Sequence, residues 1–355
     1  MTTPEVDGIL SAPQVLATAG SIADLQLASG QIPWFAGGHA DPWNHVEAAM
    51  ALALAGYRDQ AEKAYDWLVG AQHDDGSWFN YYVGEEVEDA RLDTNVVAYV
   101  ATGVWHHYLH TADGGFLSAM WPVVEGAVEF VLALQQESGE ILWSRDPGGR
   151  PGRFALLTGS SSIYLSLRCA IAAAEEQGLE RPDWELAAGR LGHAVAYKEE
   201  VFEPKRRWAM DWYYPVLAGA VTGTAAQARI DERWSEFVMD GVGVRCVSDQ
   251  PWVTAAETTE CVMALDALGR RPDAVRLFEW AQRLRHDDGS YWTGWVHPDQ
   301  VHFPGGERTT YTAAAVILAA NVLGGTGPTA RLFRGEGLSA GLDLSEPAEP
   351  RSRRP

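Results

Sequence analysis

The sequence is poor in cysteine and in basic residues, and it has no long apolar run. Its three cysteines (Cys169, Cys246 and Cys261) are far apart and odd in number, which excludes a disulfide framework or a zinc knuckle. The 27 basic residues face 48 acidic ones, and a net charge of −21 disfavours binding to nucleic acid or to anionic membranes. No uninterrupted apolar stretch of about 18 residues and no leader-like N-terminus is present, so we expect a cytoplasmic protein without a transmembrane segment.

The chain is rich in aromatic residues and contains internal repeats. Among its 355 residues are 15 Trp, 12 Tyr and 10 Phe. A shift of 213 positions aligns residues 47–78 with residues 260–291 without a gap, at 13 identities in 32, and His73–Ser77 recurs as His286–Ser290. A shorter repeat aligns Leu25–Trp34 with Leu134–Trp143 at six identities in ten. Repeats of this kind indicate an architecture built from one recurring structural unit.

Each copy of the longer repeat predicts a helical hairpin. An apolar, Ala-rich helix ends at Gly56 or Gly269, and an amphipathic helix follows. Six apolar helices are predicted along the chain, and six amphipathic ones alternate with them. Because the apolar helices need burial on all sides, two concentric rings satisfy the pattern. The sequence therefore predicts an all-α (α/α)6 toroid over residues 10–333, followed by a disordered tail over residues 334–355. The apolar helices are predicted to begin near Asn44, Asp93, Ser160, Asp211, Thr254 and Thr309.

Two segments carry a resemblance to a known family. Trp67–Trp78 and Trp280–Trp292 resemble the QW repeat of squalene cyclases and other class II terpenoid cyclases, whose fold protein prenyltransferases share. The run Asp93-Thr94-Asn95 resembles the start of the helix that bears the acidic motif of the cyclases, although Leu92 replaces one of its aspartates. The resemblance implies an enzyme that acts on an isoprenoid by acid chemistry, with Asp93 as the leading acid.

The inner helices of a toroid begin at one end, which we call the mouth. Four carboxylates are predicted there as catalytic groups, namely Asp41, Asp93, Asp211 and Glu257, because clustered buried carboxyls raise one another's pKa and one of them can stay protonated. Asp93 and Asp211 are expected to face each other across the mouth. Helix capping explains such residues equally well. The predicted substrate-binding residues are His39, Trp43, Asn44, Asn95, Tyr164, Trp212, Tyr213, Trp252, Arg308 and Tyr311.

Two other functions fit the same ingredients. A carbohydrate-active (α/α)6 enzyme, either a glycoside hydrolase or a lyase, also uses paired carboxylates and aromatic platforms, and a non-catalytic binding scaffold needs neither. The small-molecule substrate is thus an isoprenoid or, in the alternative, a saccharide. No cofactor is expected and no metal, because His39, Asp41 and His45 lack further ligands. The two His-Asp-Asp-Gly-Ser turns are expected at the end of the barrel opposite to the mouth.

Overall fold

The computed structural model describes residues 3–340, and helices dominate it. In chain order the helices are α1 (Ala12–Ala23), α2 (Pro42–Leu54), α3 (Arg58–Ala71), α4 (Thr94–Ala98), α5 (Val100–Thr111), α6 (Gly114–Leu132), α7 (Leu157–Glu176), α8 (Pro182–Tyr197), α9 (Ala209–Leu217), α10 (Gly223–Phe237), α11 (Ala255–Ala267), α12 (Arg271–Ala281), α13 (Thr310–Gly324) and α14 (Pro328–Leu332). The strands are β1 (Tyr81–Val83), β2 (Glu86–Asp89), β3 (Leu92–Asp93), β4 (Ser144–Arg145), β5 (Val238–Met239), β6 (Gly243–Arg245), β7 (Trp252–Thr254), β8 (Trp292–Val296) and β9 (Val301–Arg308).

Two concentric rings of helices form the body of the protein. The inner ring runs in the order α2, α4–α5, α7, α9, α11 and α13, and it closes because α13 packs against α2. The outer helices α1, α3, α6, α8, α10 and α12 cover the inner ones, which are buried along almost their whole length. The prediction of an all-α (α/α)6 toroid is confirmed. It follows from the alternation of wholly apolar and amphipathic segments.

The turns that end the outer helices explain the sequence repeats. In three of these turns a glutamine amide donates to the carbonyl four residues ahead and to a carbonyl of the next outer helix. The glycine of each turn has a positive φ and touches that neighbouring backbone, so a Cβ on Gly76 would lie 2.0 Å from the Gly126 oxygen. A residue with a side chain would be strained at the positive φ and would clash with the neighbouring backbone. The three glutamines are Gln26, Gln72 and Gln135.

The His-Asp-Asp-Gly-Ser turns lie at the mouth, and the expectation that they lie at the opposite end is wrong. Arg308, which directly precedes the start of α13, forms an ion pair with Asp288 of the second turn. In the first turn, Asp75 pairs with Arg145, whose strand β4 pairs with β3 just before α4. The physical reason is direction: outer helices run antiparallel to inner ones, so they end where the inner helices begin.

Short strands surround the mouth. The largest sheet is antiparallel in the order β5-β6-β7-β8-β9, and it leads directly into two inner helices, since β7 precedes α11 and β9 precedes α13. Strands of two to eight residues leave little alternating pattern in a sequence. The periodicity of the sequence therefore predicted helices but not these strands.

The C-terminal part of the described chain crosses the end of the barrel opposite to the mouth. Helix α14 packs against α5 and α13. The Arg168 guanidinium donates to the carbonyls of Leu338 and Ser339, and Tyr164 donates to the carbonyl of Ala340. Residues 334–340, which the sequence assigned to a disordered tail, thus make defined contacts with α7. The rest of that predicted tail, residues 341–355, lies outside the described residues.

One helix within residues 3–340 is long and apolar enough to cross a membrane by length and composition. This helix is α6, and 44% of its most apolar segment is buried inside the protein. The helix packs against α4, α5 and α7, as the outer ring requires.

Candidate active site

The first turns of the inner helices surround the mouth. Each inner helix is buried over most of its length but leaves one or two side chains partly exposed where it begins. All six inner helices therefore contribute side chains to the surface of the mouth. These partly exposed residues are Trp43 and Asn44, Asn95 and Val96, Thr158 and Gly159, Met210, Glu257, and Tyr311.

Asp93 combines the two roles that the sequence left open. Its Oδ1 accepts hydrogen bonds from the backbone N–H groups of Asn95 (2.9 Å) and Val96 (3.3 Å), so it caps α4. Its Oδ2 has no donor among the described residues. Burial raises the pKa of Asp93 to about 6, against the opposing effect of the two backbone hydrogen bonds. The carboxylate thus keeps one oxygen free for a reactant.

Glu257 places a second carboxyl group at the mouth. It lies in the first turn of α11 and accepts a hydrogen bond from the Thr254 hydroxyl. Burial raises the pKa of Glu257 above its ordinary value. Because α11 and α4 are three places apart in a ring of six, Asp93 and Glu257 belong to opposite sides of the mouth.

Asp41 is fully engaged with the protein. Its carboxylate accepts from the Trp34 indole (2.7 Å) and from both the side chain (2.6 Å) and the backbone N–H (3.0 Å) of Asn44. Burial raises its pKa. Trp34 in turn packs edge-on against Tyr311, at 5.0 Å between ring centres, and against His39, at 4.3 Å. Asp41 therefore fixes Asn44 and an aromatic cluster.

Asp211 and Asp93 line one cavity at the mouth. The cavity has a volume of about 280 Å³ and lies between the starts of α4, α7 and α9. Asp211 accepts hydrogen bonds through Oδ1 from the hydroxyl (2.6 Å) and the backbone N–H (3.3 Å) of Thr158, and burial raises its pKa. The remaining lining residues are Thr94, Asn95, Ile141, Trp143, Leu156, Gly159, Ser160, Ile163, Lys205, Trp208 and Met210.

Three predicted substrate-binding residues are core residues instead. Trp212 is buried, donates its indole N–H to the Arg229 carbonyl and stacks on Phe237 of the outer helix α10. Tyr213 is buried and donates to Glu260. Tyr164 lies more than one turn below the start of α7, where its hydroxyl reaches the C-terminal segment. Trp212 points outward to the outer ring, whereas Tyr213 and Tyr164 lie too deep in the barrel to reach the mouth.

Three others lie at the mouth, outside the helical wall. Arg308 contacts Asp288, the His286 imidazole (2.8 Å) and the Ser290 hydroxyl (2.9 Å), so it braces the second repeat turn. Trp252 is half-buried on β7 and stacks on Phe303 of β9, at 4.9 Å between ring centres. The Nδ1 atom of His39 lies 3.1 Å from a carboxylate oxygen of Glu88.

A metal centre is not formed by the residues that suggested one. Both ring nitrogens of His45 are engaged, Nδ1 with the Ile32 N–H and Nε2 with the Ala64 carbonyl, and burial lowers its pKa to about 4. Within residues 3–340 no group of three or more His, Cys, Asp or Glu side chains is placed to hold a metal ion.

A deeper acidic pair was missed at the sequence level. Glu47 and Glu260 lie in the barrel interior around a small cavity that Tyr99 and Tyr214 also line. The hydroxyls of Tyr213 and Tyr214 donate to Glu260, and burial raises the pKa of Glu260 to about 8. A signal existed, because these two glutamates are the first identical pair of the repeat.

Solved structures show what kind of barrel this is. A glycosidase in complex with glucose superposes with a TM-score of 0.71 at 15% identity, over 88% of this chain and 98% of that one. A D-mannose isomerase superposes with a TM-score of 0.67 at 11% identity, over 87% of this chain and 96% of that one. The fold is thus an (α/α)6 barrel of the type seen in these proteins, here with carboxylates and aromatic residues around its mouth.

Sequence relatives identify the family. The MMP endo-(1,4)-3-O-methyl-alpha-D-mannosidase of Mycolicibacterium hassiacum is 53% identical over 340 residues, which cover 96% of this chain and 94% of that protein. The chain belongs to the family of that mannosidase, and it is an enzyme. An uncharacterized glycosyl hydrolase of Methanocaldococcus jannaschii is 28% identical over 166 residues, or 45% of this chain and 26% of that protein. No family model matches the chain.

These relatives overturn the terpenoid-cyclase interpretation. The relative at 53% identity is a mannosidase, so the assignment to terpenoid cyclases and prenyltransferases and the isoprenoid substrate are wrong. The physical reason lies in the turns that carried the resemblance. Gln72 and Gly76 join one outer helix to the next, Gln72 by hydrogen bonds to backbone carbonyls and Gly76 by its close approach to the Gly126 backbone. A motif of this kind indicates how the outer helices pack against one another and does not indicate which reaction the protein catalyses.

Proposed function

We propose that this enzyme hydrolyses α-(1,4) bonds within chains of 3-O-methyl-D-mannose. The observation that carries the reaction type is the pair Asp93 and Glu257, two partly exposed carboxyls at helix starts on opposite sides of the mouth. Glycoside hydrolysis needs two carboxyl groups that flank the scissile bond. The mannosidase relative supports the linkage and the sugar, and the saccharide alternative from the sequence thereby replaces the isoprenoid.

Asp93 is the general acid. Burial raises its pKa to about 6, which keeps a larger share of the carboxyl protonated at neutral pH, and that proton passes to the glycosidic oxygen as the bond to the anomeric carbon breaks. Glu257 acts as the base. It removes a proton from the water whose oxygen forms the new bond to the anomeric carbon. Both protons and both bonds are thereby accounted for.

The neighbouring side chains suit a sugar ring. Trp43 is partly exposed at the mouth and stacks on Tyr99, at 4.3 Å between ring centres, so its indole is held in place there. Burial and the nearby charges of Glu257 and Asp41 raise the pKa of Tyr311, so its hydroxyl remains a donor. Aromatic faces and fixed donors of this kind orient a saccharide between the two carboxyls.

The test is turnover of a defined oligosaccharide. The purified protein is incubated with α-(1,4)-linked 3-O-methylmannose oligomers, and the products are identified by mass spectrometry. Glu257→Gln and Asp93→Asn are expected to lower kcat by about 10²–10⁴-fold. Glu279→Gln, an exposed change on the outer helix α12, is the matched control and keeps wild-type activity. Absence of cleavage by the wild type, or full activity in both mouth variants, contradicts the proposal.

A further inference from the structure

The cavity between α4, α7 and α9 contains polar atoms that the protein leaves without partners. Ser160 is 1% exposed, yet its hydroxyl makes no hydrogen bond within residues 3–340, and the same holds for the Oδ1 atom of Asn95. Both residues line the cavity. Buried polar atoms are nearly always paired, and an exception needs an explanation such as a ligand.

The next serine on the same helix, Ser161, shows that a serine in this run does not lack a hydrogen-bond partner merely because of its position in the run. Ser161 donates to the Leu157 carbonyl at 2.7 Å, as a serine inside a helix commonly does. Ser160 has no such bond, and the cavity is the space that it adjoins. A hydroxyl group of a bound sugar, which both donates and accepts, would satisfy Ser160 and Asn95 together.

The cavity also has apolar lining residues. Ile141, Leu156, Ile163 and Met210 contribute aliphatic side chains, which we call the apolar wall, and Trp143 and Trp208 contribute indoles, beside the charged side chains of Lys205 and Asp211. A sugar with free hydroxyls gains little from four aliphatic side chains. A sugar that carries a methyl ether has one apolar group to bury there, at about 0.8 kcal/mol for each buried carbon.

We propose that this cavity is a subsite for one sugar ring that bears an O-methyl group. Ser160 and Asn95 bind its hydroxyls, and the apolar wall binds the methyl group. The inference rests on the proposed function, since it names the residues that make a methylated substrate preferable to an unmethylated one. Asp93 at the edge of the cavity then places this ring next to the bond that is cleaved.

Ser160→Ala and Ser161→Ala form the first test. Ser160→Ala is expected to raise KM by about three- to tenfold, because one hydrogen bond to substrate is lost. Its melting temperature should stay at or above that of the wild type, because the serine hydroxyl has no partner in the protein. Ser161→Ala should leave KM unchanged. An unchanged KM in Ser160→Ala, whatever its melting temperature, overturns the subsite.

Met210→Gln and Leu156→Asn test the apolar wall. Both side chains are partly exposed at the cavity, so the changes leave the core intact. The measurement is the ratio of kcat/KM between 3-O-methylated and unmethylated α-(1,4)-mannose oligomers. The wild type should prefer the methylated oligomer, and each variant should reduce that preference by about fourfold, the value of one buried methyl. Equal ratios in wild type and variants refute the selection for methyl.

Calorimetry with 3-O-methyl-D-mannose and with D-mannose separates this inference from the proposed function. Tighter binding of the methylated sugar to wild type, and loss of that difference in Met210→Gln, supports the subsite even if no hydrolysis is detected. Cleavage of both oligomers with no difference in binding supports the hydrolase and rejects the subsite.

Discussion

Replacing Asp93 by asparagine should make the protein more stable and inactive at the same time. Burial raises the pKa of Asp93 from 3.8 to about 6 in the folded protein, so the folded state holds the proton more tightly than the unfolded state does. The ionised carboxylate therefore destabilises the fold. The penalty is absent below about pH 4, grows as the pH rises from about 4 to 6, and is complete above that range.

The size of the effect follows from the pKa values. Each tenfold difference in acid strength is about 1.4 kcal/mol, so a change from 3.8 to about 6 corresponds to about 3 kcal/mol as an upper value. Asparagine keeps Oδ1 as the acceptor for the N–H groups of Asn95 and Val96, so the cap of α4 survives. We expect Asp93→Asn to raise the free energy of unfolding by about 1–3 kcal/mol at pH 7.

The assay is urea unfolding at five pH values from 4 to 8, together with kcat at pH 7. Asp113→Asn is the matched control, because Asp113 also caps a helix, accepting from the Phe116 N–H at 3.0 Å, but is partly exposed and paired with Arg58. The Phe116 N–H and Arg58 lower its pKa, so that variant should lose stability at pH 7 and keep full activity. A gain in Asp93→Asn that does not depend on pH, a loss of stability at pH 7, or retained turnover refutes the reasoning.

Three further predictions follow from the turns, the interior and the cavity rim. Gly76→Ala should destabilise the fold by about 1–3 kcal/mol more than Gly56→Ala in chemical denaturation, because both have φ of +85° but only Gly76 abuts the Gly126 backbone; equal losses would exclude that close approach as the cause. Burial raises the pKa of Glu260 to about 8, so stability falls as the pH rises from about 4.5 to 8, and Glu260→Gln should flatten this decline in melting temperature; an unchanged slope contradicts it. Trp208→Ala should raise KM several-fold with kcat and melting temperature unchanged, since Trp208 is 43% exposed at the cavity; an unchanged KM removes it from the site.

The carboxylates of the mouth could be predicted because they lie at helix starts. A helix start fixes the level of a residue along the barrel axis, and all inner helices begin at one level. Asp93 and Glu257 were therefore assigned correctly to the mouth from sequence alone, as were Trp43, Asn44 and Tyr311. The chemistry at that level was assigned wrongly, because the turns that resemble those of terpenoid cyclases serve helix packing.

The direction of a side chain around the helix axis was decided only by the tertiary structure. Successive residues of an α-helix are about 100° apart around its axis, so an error of one or two residues in the start turns a mouth residue into a core residue. The fourth apolar helix was predicted to begin near Asp211, but α9 begins at Ala209, so Met210 lines the cavity beside Asp211 while Trp212 faces α10.

The sequence by itself determined the alternation of apolar and amphipathic helices and the closed ring, because apolar and amphipathic periodicity is local information along the chain. It could not determine which groups meet across the ring. The mouth sheet, the pairing of Asp288 with Arg308 and the unpartnered hydroxyl of Ser160 all depend on segments distant in sequence. Contacts of that kind are set by the packing of whole helices, which no local pattern encodes.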